Sequence, residues 1–254
     1  MSHAMLLGGS EILRVCDSAD FDGATDYSNR GAQLTGISDG KTGLFSCWMR
    51  LDGGDSSILT IIQNANASES ASYPTIRRSS ANAIDIQARN SAGTLILRAL
   101  SDVTYTASAT WLHVLLEWNM ARTPICVLYV NDINVAVTHT TSTDDTINYT
   151  RTNCRVGANG VNAEKFNGCL AELYWAPNVS LDLSLVANRR KFISSSGKPI
   201  HLGSDGSLPT GTAPIVYFHL DDGEAVANFA TNRGTGGNFS ITGTLDTGSS
   251  SPSD

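Results

Sequence analysis

No run of this 254-residue sequence stays apolar over the ~18 positions that a helix needs to cross a bilayer, so no membrane insertion by a helix is expected. The opening residues, MSHAMLLGGS, lack the basic stretch and hydrophobic segment of an export signal. Positive charge is scarce as well. Seventeen Lys and Arg are scattered among 24 Asp and Glu, a formal charge of −7, and nucleic acid is not an expected partner because phosphate binding needs a basic face. The five cysteines, Cys16, Cys47, Cys126, Cys154 and Cys169, are odd in number and show no CxxC spacing. They argue against a disulfide framework or a zinc site, and suit buried thiols made in a reducing cytoplasm.

Catalytic patterns are missing too. A glycoside hydrolase needs two carboxylates facing one cleft, and no strand carries Glu-x-Asp or Glu-x-x-Glu. Glu172 has Leu170 and Tyr174 at two removes, while Asp144-Asp145 and Asp221-Asp222 sit in turn-like contexts. His113 and His219 lie inside strand patterns, where a packed ring is the expected role. The run Gly234 to Gly237 precedes a strand, so it has no helix N-terminus with which to cradle phosphate.

What the sequence does hold is alternation with a period of two. From Trp111 to Trp118 both alternating sets are largely apolar, which places that strand between two layers. Ile125 to Val130 alternates likewise, Asn131-Asp132 interrupts, and Ile133 to Ala136 resumes, which predicts a hairpin turning on two residues that tolerate positive φ. Ile58 to Ile62, Ala83 to Gln87 and Thr94 to Arg98 add strands, the last two joined by the turn Asn90 to Gly93.

These segments resemble the laminin-G-like, concanavalin A-like family. The matching phrases are Phe21-Asp22-Gly23 with Tyr27, Phe45 to Arg50, Trp111-Leu112-His113-Val114 with Leu128-Tyr129-Val130-Asn131, and Val156-Gly157 followed by Phe166 to Tyr174. They cover roughly residues 15 to 176 in order, with Asp132 standing where the family usually has Gly. The resemblance implies an all-β, two-sheet antiparallel jelly-roll sandwich. Ser184 to Ile193 has the spacing of one short helix after the main strand set. Ile215 to Leu220 and Phe239 to Leu245 are expected to complete the sandwich. The expected division is an N-terminal extension (1–14), one domain (15–245) and a mobile tail (246–254).

The resemblance also implies binding of glycan, often beside calcium. Asp20, Asp22 and Asp26 are the candidate calcium ligands, with a turn-capping role as the plainer alternative. A glycan site could be formed by Asp144, Asp145, Asn148, Tyr149, Asn159 and Asn162, with Tyr149 and Trp175 as stacking faces; two hydrophilic loops and a core Trp are the alternatives. Trp48, Trp111 and Trp118 are expected in the core.

The stretch from Lys191 to Leu220, with the later NRGTGGNFSITGTL and SPSD, is similar to laminin-G-like proteins of tailed-phage and prophage structural regions. That similarity implies a non-enzymatic virion surface protein, a fibre, spike or decoration, made in host cytoplasm. Its partners would be other virion proteins, copies of itself and a host surface glycan. A free bacterial carbohydrate-binding module, or a carbohydrate-active hydrolase or lyase on the same fold, are the competing readings.

Overall fold

Alternating sequence becomes paired strands throughout the residues that the computed structural model describes, 11–69, 71 and 73–254. The strands are β1 (Cys16–Asp17), β2 (Ala19–Asp22), β3 (Tyr27–Asn29), β4 (Thr42–Leu51), β5 (Leu59–Ala65), β6 (Thr75–Arg78), β7 (Ala83–Arg89), β8 (Leu95–Thr104) and β9 (Ser108–Asn119). They continue with β10 (Cys126–Val130), β11 (Ile133–Val135), β12 (Val137–Ser142), β13 (Asn153–Val156), β14 (Asn167–Pro177), β15 (Val216–Phe218), β16 (Leu220–Asp221), β17 (Ser240–Thr242) and β18 (Asp246–Thr247). The first sheet runs β11-β10-β9-β4-β14-β2-β18, with β15 also on β14, and the second runs β12-β8-β7-β6-β5-β13-β3-β17. All the pairings are antiparallel, and the all-β sandwich is the one the alternation predicts.

Register explains what fills the space between the sheets. Val156, Ile62, Ile76, Ile86 and Ala99 stand side by side on successive strands of the second sheet and are all buried. They meet Phe45, Cys47, Met49, Val114, Leu116 and Trp118 of the first sheet in one cluster. All five cysteines are buried free thiols, as their apolar contexts suggest.

The hairpin between β10 and β11 turns at Asn131 (φ 49°) and Asp132 (φ 65°), the two positive angles of a type I′ turn. Asp132 has a further role that Gly could not serve. Its carboxylate accepts from Arg189 Nε at 2.6 Å and Arg190 Nη2 at 2.7 Å, and so clamps the single helical turn α1 (Val186–Arg189) to the sheet.

That clamp belongs to a third layer. Leu183, Phe192 and Leu202 pack on Leu44, Leu115, Tyr129, Tyr174 and Tyr217, while Ile193 packs on Cys16, Trp48 and Ala171. The outer face of β4, β9 and β14 is therefore apolar because the chain covers it with its own later segment. The late strands close the sandwich as expected: β15 joins β14, and β17 joins β3.

Both termini differ from expectation. Residues 1–10 of the anticipated extension lie outside the described residues, but Glu11 to Arg14 is docked: Leu13 bridges Ile200, and Arg14 N–H donates to the Pro199 carbonyl. Residues 246–254 are not a loose tail. β18 pairs with β2, Arg50 donates to Ser249 and Ser250, Trp111 Nε1 donates to Ser250, and Ser251 is buried. Polar serines can pack here because Arg50, Trp111 and the Cys16 backbone need hydrogen-bond partners. Deleting residues 246–254 should lower the melting midpoint by several degrees, at about 2–4 °C per kcal/mol for a chain of this size. Calorimetry checks this; a midpoint equal to the full chain's would show that the packed tail contributes nothing.

Candidate functional site

Once the first sheet is covered, the second sheet remains, and the middle of its outward side (Gln63, Thr75, Gln87) is itself buried. Its side chains form a polar row in strict register: Ser240, Asn29, Arg155, Gln63, Thr75, Gln87, Arg98 and Thr141, one from each strand from β17 to β12. Seven strand spacings make this row roughly 33 Å long. The next row holds Thr60, Arg77 and Asp85. Asp85 is fully buried and accepts from Arg77 Nε (3.1 Å) and Gln87 Nε2 (2.9 Å). Its Oδ1 and the Thr75 hydroxyl are buried without a partner among the described residues.

At one end of these strands the face runs into a groove of about 540 Å³ lined by Gly23, Gly54, Ser56, Ser57, Ser80, Glu164, Lys165 and Asn167, with Ile58 and Leu59 beneath. Glu164 joins the two features, accepting from Thr60 Oγ1 at 3.0 Å and Arg77 Nη1 at 3.4 Å. Lys165 Nζ lies 3.8 Å from the Tyr27 ring centre, and Arg155 approaches the same ring at 5.1 Å. Desolvation first, then the Arg155 charge, lower the Lys165 pKa. Hydroxyls, an amide, one carboxylate and one ammonium are a donor and acceptor set suited to sugar hydroxyls, in a volume within the usual range of small-ligand sites.

The anticipated glycan residues are divided by the fold. Asn159 and Asn162 border this face: the Asn159 carbonyl accepts from Arg155 Nη1, and Asn162 Oδ1 accepts from Lys165. Asp144 pairs with Lys41 at 2.8 Å and Asp145 accepts from Asn90 at 2.7 Å, beside the β7–β8 turn. Asn90 is five residues, roughly 17 Å, along β7 from Asp85, so these acids stand at the far end of the strands from Glu164. Asn148 is buried and hydrogen-bonded to the Arg89 carbonyl through its N–H. Tyr149 offers no stacking face: it is fully buried, accepts from Trp118 Nε1 at 2.7 Å and donates to the Thr42 carbonyl at 2.8 Å. Trp175 is buried edge-on against Tyr149 in the core. Tyr149 satisfies its polar tip inside, Trp175 Nε1 is buried with no partner among the described residues, and sequence alone distinguishes neither from a rim aromatic.

The calcium trio does not converge either. Asp22 Oδ1 accepts the N–H groups of Ala24, Thr25 and Asp26, and Oδ2 accepts from the Thr25 hydroxyl. Desolvation opposes these bonds, but they prevail and hold the carboxyl well below its usual range. Asp26 is buried and accepts from the N–H groups of Asp22 and Thr244. Both are turn-fixing groups, and every one of their carboxylate oxygens already accepts a hydrogen bond. Asp20 instead joins Asp52 and Cys169, whose ligand atoms lie within 4.8 Å of one another, a grouping that could hold a metal ion. It fits calcium poorly, since Asp52 is held at both oxygens by Arg50 (2.8 and 2.7 Å) and burial pushes the Cys169 thiol up to about 12.

A second polar centre escaped the sequence reading. Glu172 sits at a bulge of β14 with φ 47°, where the strand exchanges its neighbour β2 for β15. Its carboxylate accepts from Arg14 Nε (3.2 Å) and the Tyr217 hydroxyl (2.6 Å), and Arg14 Nη2 reaches His219 Nδ1 and Asp221, each at 2.6 Å. The available signal was one acid inside an otherwise apolar strand, facing Tyr217 and His219 at alternate positions. Glu172 is 2% exposed with both oxygens occupied, so this centre ties elements together.

The sequence profile of the concanavalin A-like lectin/glucanases superfamily matches residues 22–179, more than half of the chain. The chain belongs to that superfamily. No curated protein matches the sequence. Among solved structures, a candidate carbohydrate-binding protein from Bacteroides ovatus superposes with TM-score 0.58 at 14% identity, over 94% of this chain and 61% of the other. The chain thus spans less than two thirds of that protein. A heptameric SAP-like pentraxin from Limulus polyphemus superposes with TM-score 0.53 at 10% identity, over 92% of this chain and 94% of the other. At these identities the likeness is one of fold.

Three buried groups give the fold a pH dependence. Desolvation lowers His113 to about 3 and, helped by Arg14, His219 to about 4, so the unfolded chain binds their protons below its value of 6.5 and the folded chain does not. Each histidine therefore adds stability as pH rises from about 4 to 6.5. Glu172 acts in the opposite sense, because desolvation raises it to about 7 from 4.5 in spite of Arg14 and Tyr217, so between those values the folded chain keeps a proton that the unfolded chain has lost, and the ion pair with Arg14 is complete only above them. Near pH 5 two protons against one leave a net rise of about 1.4 kcal/mol per pH unit, which fades toward pH 6.5 as the unfolded histidines lose their protons. Urea unfolding across that window should show this slope, and Glu172→Gln should roughly double it; an unchanged slope would contradict the assignment.

Proposed function

We propose that this chain is a non-enzymatic, glycan-recognising surface component of a bacteriophage virion, a fibre, spike or decoration made in host cytoplasm, and that the groove at Glu164 and Lys165 is its sugar site. The observation that carries the recognition role is the asymmetry of the two faces. The first sheet is covered by residues 178–215, whereas the second, whose central polar residues Gln63, Thr75 and Gln87 are buried, ends in an open groove of hydroxyls, amide and opposite charges. Membership of a lectin and glucanase superfamily supports the same direction. Glu164 is the one carboxylate among the residues lining the groove, which favours binding over hydrolysis, since glycosidic cleavage commonly uses an acid pair. The virion role rests on the phage-like phrasing of residues 191–254.

Glycan-array binding is expected for the intact chain. Glu164→Ala and Lys165→Ala should each weaken it about tenfold or more, as loss of a charged hydrogen bond worth about 1.5–3 kcal/mol implies. Asp144→Ala should leave it unchanged. Retention of affinity in both groove variants would reject the site. The particle role is tested separately by mass spectrometry of purified virions, which should contain the chain in stoichiometric amounts.

A further inference from the structure

Arg14, His201, Ser204, His219, Asp221 and Arg233 line a cleft of about 170 Å³ beside the buried Glu172 centre. They come from four parts of the chain: the N-terminal segment, the covering layer, the junction of β15 with β16, and the turn after Ala230. Two fixed hydrogen bonds settle what the imidazoles present there. Arg14 Nη2 can only donate, so His219 Nδ1, 2.6 Å away, accepts, and the ring carries its hydrogen on Nε2. Desolvation, then the Arg14 charge, keep that ring neutral by lowering it to about 4. The Gly203 N–H donates to His201 Nδ1 at 3.1 Å, which makes His201 Nε2 a donor as well. His219 is 4% exposed, and its Nε2 has no partner among the described residues. Arg14 Nη1, the Ser204 hydroxyl and the buried Arg233 Nε are likewise without a partner there.

We infer that this cleft binds a phosphate group. Its unspent groups are almost all N–H and O–H donors, borne by two arginines, two imidazoles and a hydroxyl. Phosphate offers several acceptor oxygens and the negative charge that guanidinium groups pair with. A metal ion does not suit this set, because both Nδ1 lone pairs are taken and each Nε2 bears a hydrogen where a metal needs a lone pair. The acids nearby are held at the cations. Glu172 and Asp221 each bind one nitrogen of Arg14, and Glu224 binds Arg233 Nη2 at 2.7 Å, so the imidazole and hydroxyl donors are left without an acceptor. Asp221, with its side chain 61% exposed, is the one carboxylate in the lining, and its place on Arg14 Nη2 is the one that phosphate would contest. The volume suits one phosphate group with a few waters, each of which occupies about 30 Å³ in the liquid. The cleft shares no lining residue with the sugar groove and does not depend on it.

Titration calorimetry of the full chain with inorganic phosphate, at constant ionic strength in a buffer free of other oxyanions, tests this. Saturable one-to-one binding is expected, and heteronuclear spectra of the imidazole nitrogens should show His219 protonated at Nε2 with that signal moved by phosphate. Ser204→Asp adds a carboxylate at the exposed rim and should weaken binding about tenfold or more, as should Arg233→Gln, which removes a charged donor. Circular dichroism identifies any variant that fails to fold, in which case the other carries the test. A hexose phosphate separates the two sources of such a group: tighter binding than inorganic phosphate assigns the cleft to a phosphorylated sugar, and equal or weaker binding assigns it to the free ion. Absence of saturable binding, binding that a folded variant retains in full, or acetate competing as well as phosphate would overturn the inference.

Discussion

The buried ion pair of Arg14 with Glu172 is the constraint on which the arrangement of layers depends. A carboxylate enclosed in the sheet is costly unless it is paired and hydrogen-bonded. Here Arg14 and Tyr217 take one oxygen each. Those two partners come from opposite ends of the chain, so satisfying Glu172 draws the segment from Glu11 and the late strand β15 to the same point of β14. The bulge at Glu172 makes room for this exchange of neighbours. With β15 fixed, the segment from Asn178 to Ile215 has to return over the outside of the first sheet. There it meets apolar side chains that water would otherwise touch, and Asp132 pins its helical turn through two arginines.

One face is consequently withdrawn from solvent, and under the proposed function recognition falls to the groove beside the other. The same period-two rule that sends Ile62, Ile76 and Ile86 inward sends Gln63, Thr75 and Gln87 outward, and antiparallel register aligns them across the sheet. Many of these polar groups are themselves buried beneath one another and beneath neighbouring loops; Gln63, for example, donates to the Ala71 carbonyl and accepts from the Gly160 N–H. That leaves the groove at the strand ends, with exposed serines and a carboxylate held by Thr60 and Arg77, as the place where polar groups are both fixed and accessible. Rigid positioning by a sheet is what a site of few contacts requires, because disordered side chains would lose the gain to entropy.

Architecture was legible in the sequence because it is written in local alternation: the Trp111 to Trp118 strand, the Asn131-Asp132 turn and the late strands all follow from spacing and turn chemistry. The site was not, for a physical reason. Tyr149, Trp175 and Asp22 have side chains that suit a ligand, but each is consumed by an internal partner that is remote in sequence or hidden in a turn: Tyr149 by Trp118 and Thr42, Trp175 by the core, Asp22 by three backbone N–H groups. Conversely Ser56, Ser80 and Glu164 look unremarkable singly and become a groove only when three loops meet. Asn159 and Asn162 lie in the loop before Glu164, but Asn159 is buried with its Oδ1 taken by the N–H groups of Val161 and Ala163, and neither lines the groove.

The proposed sugar site is a shallow groove at a strand end, and that shape has a consequence for strength of attachment. A shallow polar groove exchanges hydrogen bonds with water for hydrogen bonds with sugar, so each site gains little net free energy. Strength on a surface then comes from copies that are held together, because the second contact is made at the high effective concentration set by the first.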